Sequence, residues 1–242
     1  MGGRQVLAAR RLLAETLDGE RPEHERVAAA HAVVTELGSP ERLLELIAEL
    51  ASGEGDPADC ARLSYRHVLG FDKLLLLDTG SGHMLRAHVW HPGIGTAGKE
   101  DVHNHRCALA SCVVRGRLAM ELYEAGDDGI AADRYEERLS EGTADWLLTP
   151  AGPQPLRLTQ VGRYSAGSTY ALPAHTLHRA WCDTDAPTVT LFLETGARRR
   201  RHTDVFTVAG RRTGSVAKVP LDVPGYLAAL DELDELLRSS QA

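Results

Sequence analysis

The chain has 242 residues, 43% of them hydrophobic, with 27 basic and 34 acidic side chains for a formal net charge of −7. That hydrophobic share supports a buried core, and the acidic excess gives a polyanion little to hold, so nucleic acid is set aside as a partner. The four cysteines, Cys60, Cys107, Cys112 and Cys182, include no CxxC pair and do not read as a disulfide framework. No run approaches the roughly 20 apolar residues of a membrane span. The N-terminus lacks the apolar stretch and small-residue cleavage site of a secretory signal. The expectation is a cytoplasmic protein with no membrane partner.

From Gln5 to about Arg62 the pattern is helical. Val6, Leu7, Arg10, Leu13 and Leu17 recur at spacings of three or four until Asp18-Gly19 stops them. A second helix follows Pro22, with Val27, Ala30, His31, Val34 and Leu37 on one face, and ends at Gly38. Ser39-Pro40 reads as an N-cap with proline at the first helical position. Leu43, Leu44, Ile47, Ala48 and Leu50 carry this third helix to the breaker SGEGDP.

After Tyr65 short apolar segments alternate with turns: KLLLLD, HMLRAHVW, CALASCVVRG, RLAMELYE, the turn AGDDG, then DWLLTP, PLRLTQVG, TYALP, RAWCD and TVTLFLE. Many short strands at this spacing predict an all-β barrel or sandwich. The arginine run of GARRRRH reads as a solvated loop. A last helix opens near Gly225, its leucines at helical spacing, and is expected to dock loosely on the barrel or on a neighbour. The chain divides into a helical region (1–64), a β-barrel (65–218) and a C-terminal helix (219–242).

Asp101-Val102-His103-Asn104-His105 places two histidines two apart. On a strand, alternate side chains share a face, so both imidazoles point the same way. About 60 residues on, Gly167 to His178 reads GSTYALPAHTLH. The two segments resemble the paired motifs of the cupin superfamily: HxH closed by Gly116, then a glycine, a proline and a histidine. The resemblance implies a small mainly β jelly-roll barrel in which both motifs lie on neighbouring antiparallel strands. It implies that His103, His105 and His178 ligate one metal. Leu109 stands where many cupins carry a glutamate ligand, and His175 is read as a turn histidine. Imidazole-only ligands accept Fe, Ni, Cu or Zn.

The absent glutamate resembles the thiol dioxygenases, the cysteine dioxygenase branch, and the likeness runs from about Tyr65 to Lys218. It implies Fe(II), O₂ and a small thiol such as L-cysteine as partners. The relay residues of that branch fall at Thr190, Phe192 and Glu194, so Thr190 is a stand-in there and no cysteine–tyrosine crosslink is expected. Period two puts Met84, Arg86, His88 and Trp90 on one face. If Trp90 faces the cavity, Arg86 and His88 do too. Arg86 is the preferred anchor for a substrate carboxylate, with Lys73 second. Glu194, turned inward, is expected near His178 as a base or as an acceptor for its N–H.

The expected function is a mononuclear non-haem iron dioxygenase of a small thiol. The alternatives are a cupin oxygenase acting on another amino acid or small aromatic, and a non-catalytic metal-binding sensor. Because ligand imidazoles must be neutral, metal occupancy is expected to fall as pH drops towards 6. The N-terminal helices are expected to buttress the barrel or to form the face of a homodimer.

Overall fold

The computed structural model describes residues 3–67, 71–92, 101–140, 145–196, 200–208, 215–216 and 219–239. Lys218, the expected end of the barrel region, lies outside them. Four helices come first: α1 (Arg4–Leu17), α2 (Glu23–Leu37), α3 (Pro40–Ala51) and α4 (Pro57–Arg62). The strands follow: β1 (Tyr65–Arg66), β2 (Phe71–Asp78), β3 (Met84–Trp90), β4 (Val102–His103), β5 (Leu109–Arg115), β6 (Arg117–Ile130) and β7 (Asp133–Leu139). After them come β8 (Trp146–Pro153), β9 (Leu156–Ser165), β10 (Thr169–Leu172), β11 (Leu177–Cys182), β12 (Thr188–Glu194), β13 (Thr203–Thr207) and β14 (Ser215–Val216). The helix α5 (Val223–Arg238) closes the order.

The strands form two antiparallel sheets, in the orders β1-β2-β3-β12-β5-β10 and β14-β8-β7-β13-β4-β11-β6-β9. The fold is mainly β, a sandwich of two antiparallel sheets with helices at its N-terminus and one at its C-terminus. The first sheet is buried on both faces. Leu85, Ala87 and Val89 of β3, with Val189, Leu191 and Leu193 of β12, join the helices in one core cluster. The alternate residues Arg86, His88 and Phe192 turn towards the second sheet, as a period of two requires.

Several local expectations change. Ser39 does stand at the N-cap of α3, but its hydroxyl donates to the Glu36 carbonyl rather than capping a helical N–H. In α2 the buried positions are Arg26, Ala30, Val33, Val34 and Leu37, while His31 is exposed. The segment AGDDG does not end its strand: Ala125 and Ile130 both oppose Leu156, so the residues between them bulge out of β6. Gly129 is required there, because a Cβ would lie 2.2 Å from the Leu156 backbone.

The last helix is not loosely docked. Leu230, Leu233 and Leu237 of α5 are buried in the core shared with α3, and Tyr226 donates from its hydroxyl to the Leu75 carbonyl at 2.7 Å. An amphipathic helix shows its apolar stripe in sequence but not the surface that receives it.

Candidate metal centre

The metal site begins as a backbone pairing. Strands β4 and β11 run antiparallel with His103 directly opposite His178, the arrangement the two motifs imply. The third histidine arrives differently than expected. β4 ends at His103, so His105 stands on the turn beyond it, where its N–H donates to the Ala174 carbonyl of the second motif at 3.2 Å. Gly116, which closes the first motif, has φ +73, and a Cβ there would lie 2.4 Å from the Thr188 hydroxyl.

The three imidazoles converge, with ring centroids 4.8 to 5.2 Å apart and ligand atoms all within 4.8 Å of one another. His103 Nδ1 lies 3.2 Å from the Asp101 carbonyl, and His178 Nδ1 lies 3.2 Å from the Thr176 carbonyl. A carbonyl only accepts, so each Nδ1 carries the hydrogen and each Nε2 keeps a lone pair for a metal. Burial first of all pushes the His178 pKa down to about 3, lowers that of His103, and holds His105 well below the ordinary range. The ligands are neutral imidazoles, the form that binds metal. An uncharged set of three nitrogens, with Leu109 buried where a carboxylate would add charge, fits a divalent transition ion.

The segment that carries His103 and His105 is held from behind. Asn104, between the two histidines, donates from Nδ2 to Asp204 at 2.7 Å and accepts from the Asp204 N–H at 2.8 Å. Arg134 donates twice to Asp204, and Arg200 once. Breaking the clamp by Asn104→Ala leaves both arginine pairs in place. It is expected to weaken zinc binding about 10- to 100-fold, as measured by competition with a chromophoric chelator. Unchanged affinity would mean that the turn holds its shape without Asp204.

A cavity of about 300 Å³ opens from the triad between the sheets. Lys73, Arg86, His88, Trp90, Phe192 and Glu194 all line it. Arg86 does not present its charge to a ligand as the sequence reading expected. It forms a buried ion pair with Glu194, a diagonal neighbour across β3 and β12. Glu194 is turned inward, but the carbonyl of Thr176 takes the hydrogen-bonding place beside His178 that was expected for it. Burial raises the Glu194 pKa, yet Arg86, Lys73 and His105 together outweigh this and hold it far below the carboxylate range.

His88 is packed between Phe71, tilted at 4.8 Å, and Phe192, stacked at 4.7 Å. Its pKa is well below the ordinary value, through burial and then Lys73 and Arg86. Thr190 is spent on the Trp90 indole N–H, which donates to its hydroxyl at 3.3 Å. Lys73 points inward from β2 with its ammonium 5.6 Å from the centre of the Tyr65 ring. His175 is exposed, beside Glu23, and stands outside the cluster of ligands. The sequence reading missed Glu137, Trp146 and Leu148 of the lining, which no spacing relates to either motif, and it did not read Asp101 and Arg106, which flank the HxH segment, as lining.

No family model matches the chain, and no curated protein matches it. Among solved structures, it is 17% identical to a DMSP lyase, covering 53% of this chain and 48% of that one, with a TM-score of 0.33. An RmlC-like cupin from Shewanella frigidimarina is 16% identical over 56% of this chain and 84% of its own, with a TM-score of 0.34. Oxalate decarboxylase from Lactobacillus farciminis is 9% identical over 58% and 32%, with a TM-score of 0.36. The chain thus spans about half the length of the lyase and a third of the decarboxylase. Likenesses this distant assign no activity, and the metal centre stands on the geometry of this chain.

Proposed function

We propose that this chain is a mononuclear non-haem iron oxygenase that adds O₂ to the sulfur of a small thiol bearing a carboxylate, with L-cysteine the simplest case. The observation that supports this most is the set of three neutral imidazoles, joined by no carboxylate among the described residues, in a charged cavity. His103, His105 and His178 would hold an Fe(II) ion, which would supply redox chemistry towards O₂. In the overall reaction both oxygen atoms end on sulfur, taking thiol to sulfinic acid, so no external reductant is needed.

The protein's own part is binding and orientation. The cavity holds the cations Lys73, Arg86 and Arg106 against the anions Glu194, Glu137 and Asp101. Among the described lining residues these six balance, so a divalent ion on neutral ligands would leave the site net positive and favour an anionic substrate. Lys73, whose charge acts on both His103 and Glu194, is assigned the carboxylate. Phe71, Trp90 and Phe192 form an aromatic wall that keeps water from that side. The same wall favours, as a second reading, an oxygenase acting on a substrate with an aromatic ring.

Metal analysis of protein purified without oxygen, then O₂ uptake with L-cysteine and related thiols, tests the proposal. Near-stoichiometric iron and thiol-dependent uptake are expected, and iron without uptake on any thiol would sink it. Replacing Lys73 with Met should raise KM for carboxylate-bearing thiols about 10-fold or more, on the scale of a lost charged hydrogen bond. KM for cysteamine, which has no carboxylate, should barely move; equal changes for both would remove Lys73 as the anchor.

A further inference from the structure

The cavity is longer than a cysteine-sized substrate needs, and its two ends differ in chemistry. In the second sheet, β4 is followed outward by β13, β7 and β8. Three strand spacings of about 4.8 Å put His103 roughly 14 Å from the residues that β8 contributes. Built from bonds of about 1.5 Å, the sulfur and carboxylate of cysteine lie only about 4–5 Å apart, roughly one of those spacings.

Asp101 and Arg106 flank the HxH segment, whereas both residues that β8 gives to the lining, Trp146 and Leu148, are apolar, with the carboxylate of Glu137 on β7 paired opposite Leu148. Leu139 of β7 and Leu63, just after α4, line the cavity with them. Leu139 is 41% exposed, and an apolar side chain that lines a cavity while open to water gains from a ligand that covers it.

We infer that the natural substrate is amphipathic: an anionic head at the triad and Lys73, and an apolar chain or ring that reaches Leu139, Trp146 and Leu148. This rests on the metal-centre reading for the head alone; the tail rests on the lining of the far end. A free thiol acid without such a tail would leave that end to water.

Straight-chain carboxylates from propanoate to decanoate are the probe, titrated calorimetrically into the zinc-loaded full chain. Affinity should rise about fourfold per added methylene and level off once the tail passes Trp146. In Leu148→Asp the length dependence should vanish while propanoate binds as before. Leu139→Glu, at a more exposed position, is the second variant should the first fail to fold.

Equal affinity at every length, no binding at any length, or a dependence that survives in the variants overturns the inference. The matching 2-mercapto acids separate the two readings. A length dependence with no gain from the thiol group would leave the tail site standing and remove the thiol head.

Discussion

Replacing Glu194 with Ala is expected to destabilise the metal-free protein by about 3–5 kcal/mol, measured by urea unfolding. Arg86 and Glu194 are 8% and 16% exposed and pair directly with each other. Removing the carboxylate leaves a guanidinium that is always charged in a cavity wall, with no anion in its place and Lys73 in the same cavity. Its Nε already lacks a partner among the described residues, so the environment has little left with which to solvate it. The penalty comes from the stranded charge rather than from the pair's own strength. The double change Arg86→Met with Glu194→Leu should therefore recover to within about 1 kcal/mol of the parent. A single variant as stable as the parent, or a double variant no better than the single, would contradict that account.

That pair also marks how far the sequence can be read. Periodicity turned Arg86, His88 and Trp90 to one face of β3, and it holds because the other face, Leu85, Ala87 and Val89, is packed under the helices. Nothing in the local pattern tells that Glu194, 108 residues away, would lie diagonally across from Arg86; that needs the pairing of β3 with β12. The HxH segment was legible as a metal motif because its chemistry is local. Its backbone was not, since the chain leaves β4 after His103 and the His105 N–H is taken up by Ala174. The far wall of the cavity was silent for the same reason as the ion pair. Glu137, Trp146 and Leu148 reach the site through the order of strands in a sheet, which no spacing near the histidines encodes. Asp204 is a further case, invisible until β13 lies beside β4.

The pH response should differ from what ordinary histidines would give. His67, His88 and His105 are held well below the usual imidazole range and His178 is pushed down to about 3, with burial the largest cause in each. In the unfolded chain the same groups titrate near 6.5. Below that pH the unfolded state binds more protons than the folded one, so stability is intact above about 6.5 and falls as the pH falls. At pH 5.5 each of the four groups removes roughly 1–2 kcal/mol. Together that is on the order of 5 kcal/mol, a large part of the ~5–15 kcal/mol that holds a domain folded. In the folded site His105 and His178 stay neutral through this window, and burial lowers His103 as well. Metal occupancy should consequently fall less between pH 7 and 5.5 than exposed histidines would give, with the main loss where the chain unfolds. Metal content after dialysis, followed beside far-UV circular dichroism at each pH, checks this. Release of most of the metal from a chain that is still folded would show that the triad titrates like exposed histidines.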